Sequence, residues 1–221
     1  MSTTANYFCA QVRNWIEILD LRSALEKLLE SRNSKEVEDY RVGKGAWKKV
    51  RDEVVPVSDH LEFWSRTEGQ VRFAMNDEFP DCTVRLNGSA PIGLEVTIAQ
   101  GKEDFFLAKE LNKGKITPGF LGLQDTASKK KFHNAIARGR VMYSSPQALI
   151  AVRQSIALCL ERKNNSKYEG HDLLIKAPLP ALPRERWAEI QPDLMQLANH
   201  LPFRQVYVIG DRRKPYGFRL K

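Results

Sequence analysis

No stretch of this chain approaches the roughly 18–20 consecutive apolar residues that a membrane-spanning helix needs. A membrane span is therefore not expected. The N-terminus, Met1-Ser-Thr-Thr-Ala-Asn6, lacks the basic stretch and apolar run of a secretory signal, so a cytoplasmic location is expected. Cysteine is scarce: Cys9, Cys82 and Cys159 are odd in number, widely spaced and form no CxxC pair. His60, His133, His171 and His200 are equally scattered. A disulfide framework and a structural zinc site are thereby disfavoured, and reduced, partly buried thiols are expected. The phosphate-cradling patterns GxxxxGK[ST] and GxGxxG are absent, as is the GxSxG nucleophile elbow. His133-Asn134 sits in no HNH-like framework.

What the chain has is length, an ordinary apolar content and an uneven positive charge. Its 221 residues are 42% hydrophobic and 28% charged, enough to bury a core in one large domain or a domain with an extension. The net charge is +8. Lys102 to Arg140 holds nine Lys/Arg against four Asp/Glu, and Arg204 to Lys221 holds six against one. Each stretch carries +5, so the remainder is −2. Basic charge gathered in two places is the footprint of a polyanion binder, against the alternative of a solvated basic surface.

Periodicity divides the chain. Ile18, Leu21, Leu25 and Leu28 make one apolar helical face. Ser31 to Lys49 reads as a loop or short irregular helix. A second stripe, Val50, Val54, Val57, Leu61 and Trp64, is interrupted by Pro56, where the helix either kinks or begins. Alternation then predicts strands over Gln70–Met75, Cys82–Leu86 and Ile92–Ile98, with Asn87-Gly88 as a turn, forming an antiparallel meander. Helices are predicted over Glu103–Asn112 and Ser128–Arg138, and from Ser145-Pro146 to about Asn164. Asp172–Ala177, a helix over Pro183–Asn199, and Gln205–Ile209 form a βαβ unit, so this half of the sheet should be parallel. The expectation is a mixed α/β sheet with flanking helices. Residues 1–49 form an N-terminal helical extension and residues 50–221 the core.

Two carboxylates stand out. Asp81 precedes the second strand, and Glu95 lies inside the third, where Leu94, Val96 and Ile98 take one face and Gly93, Glu95 and Thr97 the other. Pairing of these strands brings Asp81 and Glu95 together as a hard oxygen site suited to Mg²⁺. The alternatives are a turn-capping aspartate and a sheet-edge salt bridge.

Pro80-Asp81, thirteen residues, then Glu95-Val96-Thr97 resembles the PD-(D/E)xK signature of the restriction-endonuclease-like nucleases. The predicted order from Val50 to Ile209 is similar to that superfamily's α-β-β-β-α-β core. The resemblance implies Mg²⁺ or Mn²⁺ held by Asp81 and Glu95, and hydrolysis of nucleic acid, DNA foremost. It implies a lysine at the position where this chain has Thr97. A migrated lysine would be Lys109, on the helix after the motif strand, or Lys163, at the end of the long helix on the Leu149–Ile156–Leu160 stripe. Gln100 is a candidate neutral ligand. A helix before the strands often adds a glutamate in this superfamily, and Glu53, beside the apolar stripe, fits better than Glu62.

Lys129, Lys130 and Lys131, which open a helix, with Arg138 and Arg140 following two turns or more later, and Arg212, Arg213 and Lys214 in a loop, are candidate phosphate contacts. Tyr216 and Phe218 would stack on bases or pack a terminal strand. A homodimer would suit cutting of both strands. Two other readings stand beside the nuclease. One is an inactive nuclease-like module that binds nucleic acid or protein, supported by Thr97. The other is a regulator that binds a protein through the helical N-terminal region.

Overall fold

A computed structural model of the chain describes residues 4–76, 78–138, 144–210 and 216–221. The described residues form helices around one seven-stranded mixed sheet. In chain order the elements are α1 (Thr4–Val12), β1 (Ile16–Glu17), α2 (Ile18–Glu30), α3 (Ser34–Val42), α4 (Ala46–Lys49), a π-helical turn (Val50–Val54), α5 (Val55–Phe63), β2 (Gln70–Phe73), β3 (Cys82–Arg85) and β4 (Ile92–Ile98). They continue with α6 (Gly101–Leu111), α7 (Lys129–Ala137), α8 (Ser145–Arg162), β5 (Asp172–Lys176), α9 (Gln191–Asn199), β6 (Gln205–Ile209) and β7 (Gly217–Arg219). The strands lie side by side in sequence order. β1 to β4 are antiparallel neighbours, β4–β5–β6 are parallel, and β7 returns antiparallel to β6. Among the described residues no helix is long and apolar enough to cross a membrane.

Each face of the sheet is covered by its own apolar cluster. Leu94 and Val96 of β4 and Leu174 of β5 pack with α1, α2 and the Val50–Val57 stripe. The alternate residues Leu173 and Ile175 pack with Val152, Ile156 and Leu160 of α8 and Leu194 of α9. Strand alternation therefore assigns the opposite side of β4, with Gly93, Glu95 and Thr97, to the α8 face. The described residues 4–49 share the first cluster with the sheet through Phe8, Leu21, Leu25 and Trp47.

Several elements differ from expectation. The segment read as irregular, Ser31 to Lys49, contains α3 and α4. Asn33 accepts a hydrogen bond from the Glu36 N–H at 3.0 Å while Glu36 accepts from the Asn33 N–H at 3.2 Å, and Gly43 closes the helix in a left-handed conformation. α3 buries no residue, so it leaves no apolar stripe to read. At Pro56 a new helix begins, after a widened turn in which the Val55 N–H reaches the Val50 carbonyl. A proline ring in a regular helix collides with the carbonyl four residues back, and the wider turn relieves that. The cap of α8 is Ser144, one residue before the expected position, completed by Gln147. The helix expected over Pro183–Asn199 is a 3₁₀ turn (Arg184–Glu189) followed by α9, with Pro192 in the first turn of α9.

Candidate active site

The register of β3 on β4 sets Cys82 opposite Leu94 and Thr83 opposite Gly93. Continued by one residue, it sets Asp81 beside Glu95. Asp81 Oδ2 accepts the Val96 N–H at 2.8 Å, so the carboxylate satisfies β4 where β3 has ended. Gly93 makes this approach possible. A Cβ there would overlap the His171 imidazole and come within 2.8 Å of Pro80 Cγ. Gly93→Ala is expected to cost about 1–3 kcal/mol by overpacking and to displace Pro80-Asp81. Urea unfolding beside wild type measures the cost, and an unchanged midpoint would show that the loop yields freely.

Lys163 is the lysine that reaches the carboxylates. At the C-cap of α8 it sets its Nζ 2.5 Å from Glu95 Oε1, and both side chains are largely shielded. The Tyr168 hydroxyl lies 3.5 Å from the same ammonium. Thr97 Oγ1 meets Cys159 Sγ at 3.9 Å, and Lys163 is one turn beyond Cys159 on α8. An ammonium thus reaches Glu95 from the helix packed over β4. Burial pulls the Lys163 ammonium down, but the hydrogen bond and charge of Glu95 outweigh this and leave it above its ordinary value.

Lys109 does not take part. α6 buries Glu103, Phe106, Leu107, Ala108 and Glu110, while Lys109 is exposed with its ammonium 5.4 Å from the Phe105 ring centroid. The reason is helical phase: the residues on either side of Lys109 belong to the buried face.

Glu53 joins the cluster from the π-helical turn. Its carboxylate pairs with Lys49 at 2.9 Å, and Oε2 is buried with no hydrogen-bond partner. Burial raises its pKa to about 7, with Asp81 adding to the rise and Lys49 opposing it. Burial also raises Asp81, and Glu95 adds to this, while the Val96 N–H, Lys163 and Lys49 lower it. Three carboxylates thus face two ammonium groups at one end of the meander. Lys49 and Tyr168 were not singled out from the sequence. Lys49 carries one legible signal, its i,i+4 spacing to Glu53, whereas Tyr168 lies in a 3₁₀ turn with no pattern of its own.

An all-oxygen donor set with an orphaned carboxylate oxygen suits a hard divalent cation. Among the described residues no three His, Cys, Asp or Glu side chains converge as they stand into a metal-holding group. Gln100 is elsewhere. It is buried in a left-handed conformation, both amide atoms lack partners, and it packs beside Gln124, Asp125, Cys159 and Arg162.

The proposed nucleic-acid contacts divide. Lys129, Lys130, Lys131 and Arg138 are exposed on α7 and its C-cap, where only Phe132 is buried. Arg140, Arg212, Arg213 and Lys214 lie outside the described residues. Tyr216 and Phe218 pack inward, the former edge-on to Trp187 at 5.0 Å and the latter in the core. Phe218 is buried and Tyr216 half-buried against the same cluster, the terminal-strand packing that the sequence offered as the alternative to base stacking.

The chain matches no protein-family model, no curated protein and no solved structure.

Proposed function

We propose that this chain is a Mg²⁺- or Mn²⁺-dependent nuclease of PD-(D/E)xK type acting on DNA, with its lysine moved from the motif strand to α8. The observation that carries the reading is the Lys163–Glu95 contact of 2.5 Å beside Asp81. A lysine and two carboxylates meet from three elements, although the strand position itself holds Thr97.

Asp81 and Glu95 would hold the ion, with Glu53 completing the acidic wall. A bound Mg²⁺ supplies neutralisation of the scissile phosphate and acidification of a water. Lys163, kept as an ammonium by Glu95, stabilises the negative charge that grows on the phosphoryl oxygens. Lys129, Lys130, Lys131 and Arg138 hold flanking phosphates and set register without reading sequence. A dimer would place two such sites on opposite strands of a duplex.

One observation favours a second reading. Lys163 already occupies a Glu95 oxygen that the ion would need, as it would in an inactive module that binds nucleic acid. Incubation of plasmid and single-stranded DNA with Mg²⁺ or Mn²⁺, beside EDTA and Glu95→Ala, separates the two. The nuclease reading expects cutting in metal alone and its loss in the variant. DNA binding without cutting would leave the inactive module.

A further inference from the structure

The Phe79 ring, two residues before Asp81, is 37% exposed at the edge of the carboxylate cluster. It is held rather than loose. It meets Tyr168 edge-on at 5.2 Å and His171 at 4.6 Å between ring centroids. Tyr168 is buried and stacks on buried Phe203 at 4.9 Å, which anchors the wall in the core. The same Tyr168 faces the Lys163 ammonium at 5.3 Å, so the exposed ring and the candidate active site share one support. Lys167 lies above this wall, its ammonium 4.7 Å from the Tyr168 centroid and 5.7 Å from that of Phe79. Lys167 is exposed and pairs with no carboxylate among the described residues.

A held, partly exposed aromatic ring with an exposed ammonium resting over it, free to swing onto a phosphate, has the two elements that recognise a nucleotide, a stacking platform and a phosphate contact. A base paired inside a duplex has both faces covered by its neighbours, so away from the ends only an unpaired base can lie on Phe79. We propose that Phe79, Lys167 and His171 form a nucleobase-stacking subsite that seats an unpaired base of a single-stranded DNA segment beside the Asp81–Glu95 pair. This deepens the nuclease reading and rests on it: the substrate would be single-stranded, or opened at the point of attack.

Binding of a labelled oligo-dT strand and of a duplex of equal length, measured by fluorescence anisotropy on the full chain in EDTA, tests the subsite without any cleavage. Phe79→Ala is expected to weaken single-strand binding about tenfold or more and to leave duplex binding unchanged. Phe79→Trp, which keeps a stacking face, is expected to bind as wild type does. Lys167→Ala is expected to flatten the single-strand salt dependence by about one phosphate contact. Three results would overturn the subsite: no loss in Phe79→Ala, an equal loss on strand and duplex, or no single-strand binding by wild type. Cleavage in Mg²⁺ is read separately. Metal-dependent cutting with an unchanged Phe79→Ala removes the subsite and keeps the nuclease, whereas the Phe79 pattern without cutting keeps the subsite and removes the nuclease.

Discussion

Lys163→Ala is expected to slow metal-dependent DNA cleavage about 10²–10³-fold, the usual loss when one preorganised charge donor is taken from a shielded site. The ammonium is held in place on two sides, by Glu95 at 2.5 Å and the Tyr168 hydroxyl at 3.5 Å. Because its pKa lies above the ordinary lysine value, it stays charged through the neutral range and serves as a cation rather than as a base. The loss should therefore be similar at pH 7 and pH 9, with no limb of the pH–rate profile removed by the substitution. The variant also leaves Glu95, only 8% exposed, without its partner, and some stability should go with the activity. A second change separates the two effects. Thr97 shares the strand face of Glu95, so Thr97→Lys in the Lys163→Ala background returns a cation to the same carboxylate from the strand. Partial recovery of cleavage in the double variant is expected. Recovery of the unfolding midpoint without recovery of cleavage would make Lys163 a structural partner of Glu95 and nothing more.

The same contact shows how far the sequence could be read. The alternation in Ile92–Ile98 is enough to place Glu95 and Thr97 together, opposite Leu94 and Val96, because successive side chains of a strand point to opposite faces. The periodicity of α8 was enough to aim Lys163 at the sheet, since Ile156 and Leu160 fix which side of that helix is inside. The same logic, applied to α6, would have set Lys109 aside: Phe106 and Leu107 define a face on which Lys109 does not lie. Other features left no trace in hydropathy. α3 is a half-buried helix with no fully buried residue, held by its caps, and capping is carried by two or three residues rather than by a stripe. The π-helical turn that presents Glu53 depends on Pro56, which marked a break without saying which geometry would absorb it. Lys49 sits in the four-residue helix just before that turn, in a stretch the sequence presented as polar. Its role follows from Glu53 being buried, which a sequence does not display.

That buried glutamate carries the second large effect. In EDTA, Glu53→Gln is expected to raise the thermal unfolding midpoint by about 5 °C at pH 8 and to leave it nearly unchanged at pH 4. Glu53 titrates at about 7 in the folded chain, against an ordinary value of 4.5. The folded state therefore holds its proton more tightly than the unfolded state does. The associated stability is complete below the unfolded value and is lost as pH rises from 4.5 to about 7. Above that window an ionised, mostly buried carboxylate with one orphaned oxygen costs about 3 kcal/mol. Glutamine removes the charge but also releases Lys49 from its 2.9 Å ion pair, which takes back part of the gain. A divalent ion reverses the comparison. If Asp81, Glu95 and Glu53 hold Mg²⁺, adding it at pH 8 should stabilise wild type more than the variant, because an ion that binds only the folded state adds its binding free energy to stability. A gap between the two proteins that does not change with pH, or an equal gain from Mg²⁺ in both, would reduce Glu53 to a partner of Lys49. A gap that opens between pH 4.5 and 7 and is closed by Mg²⁺ would mean that the cluster is strained toward a cation, and that the orphaned oxygen is where it is received.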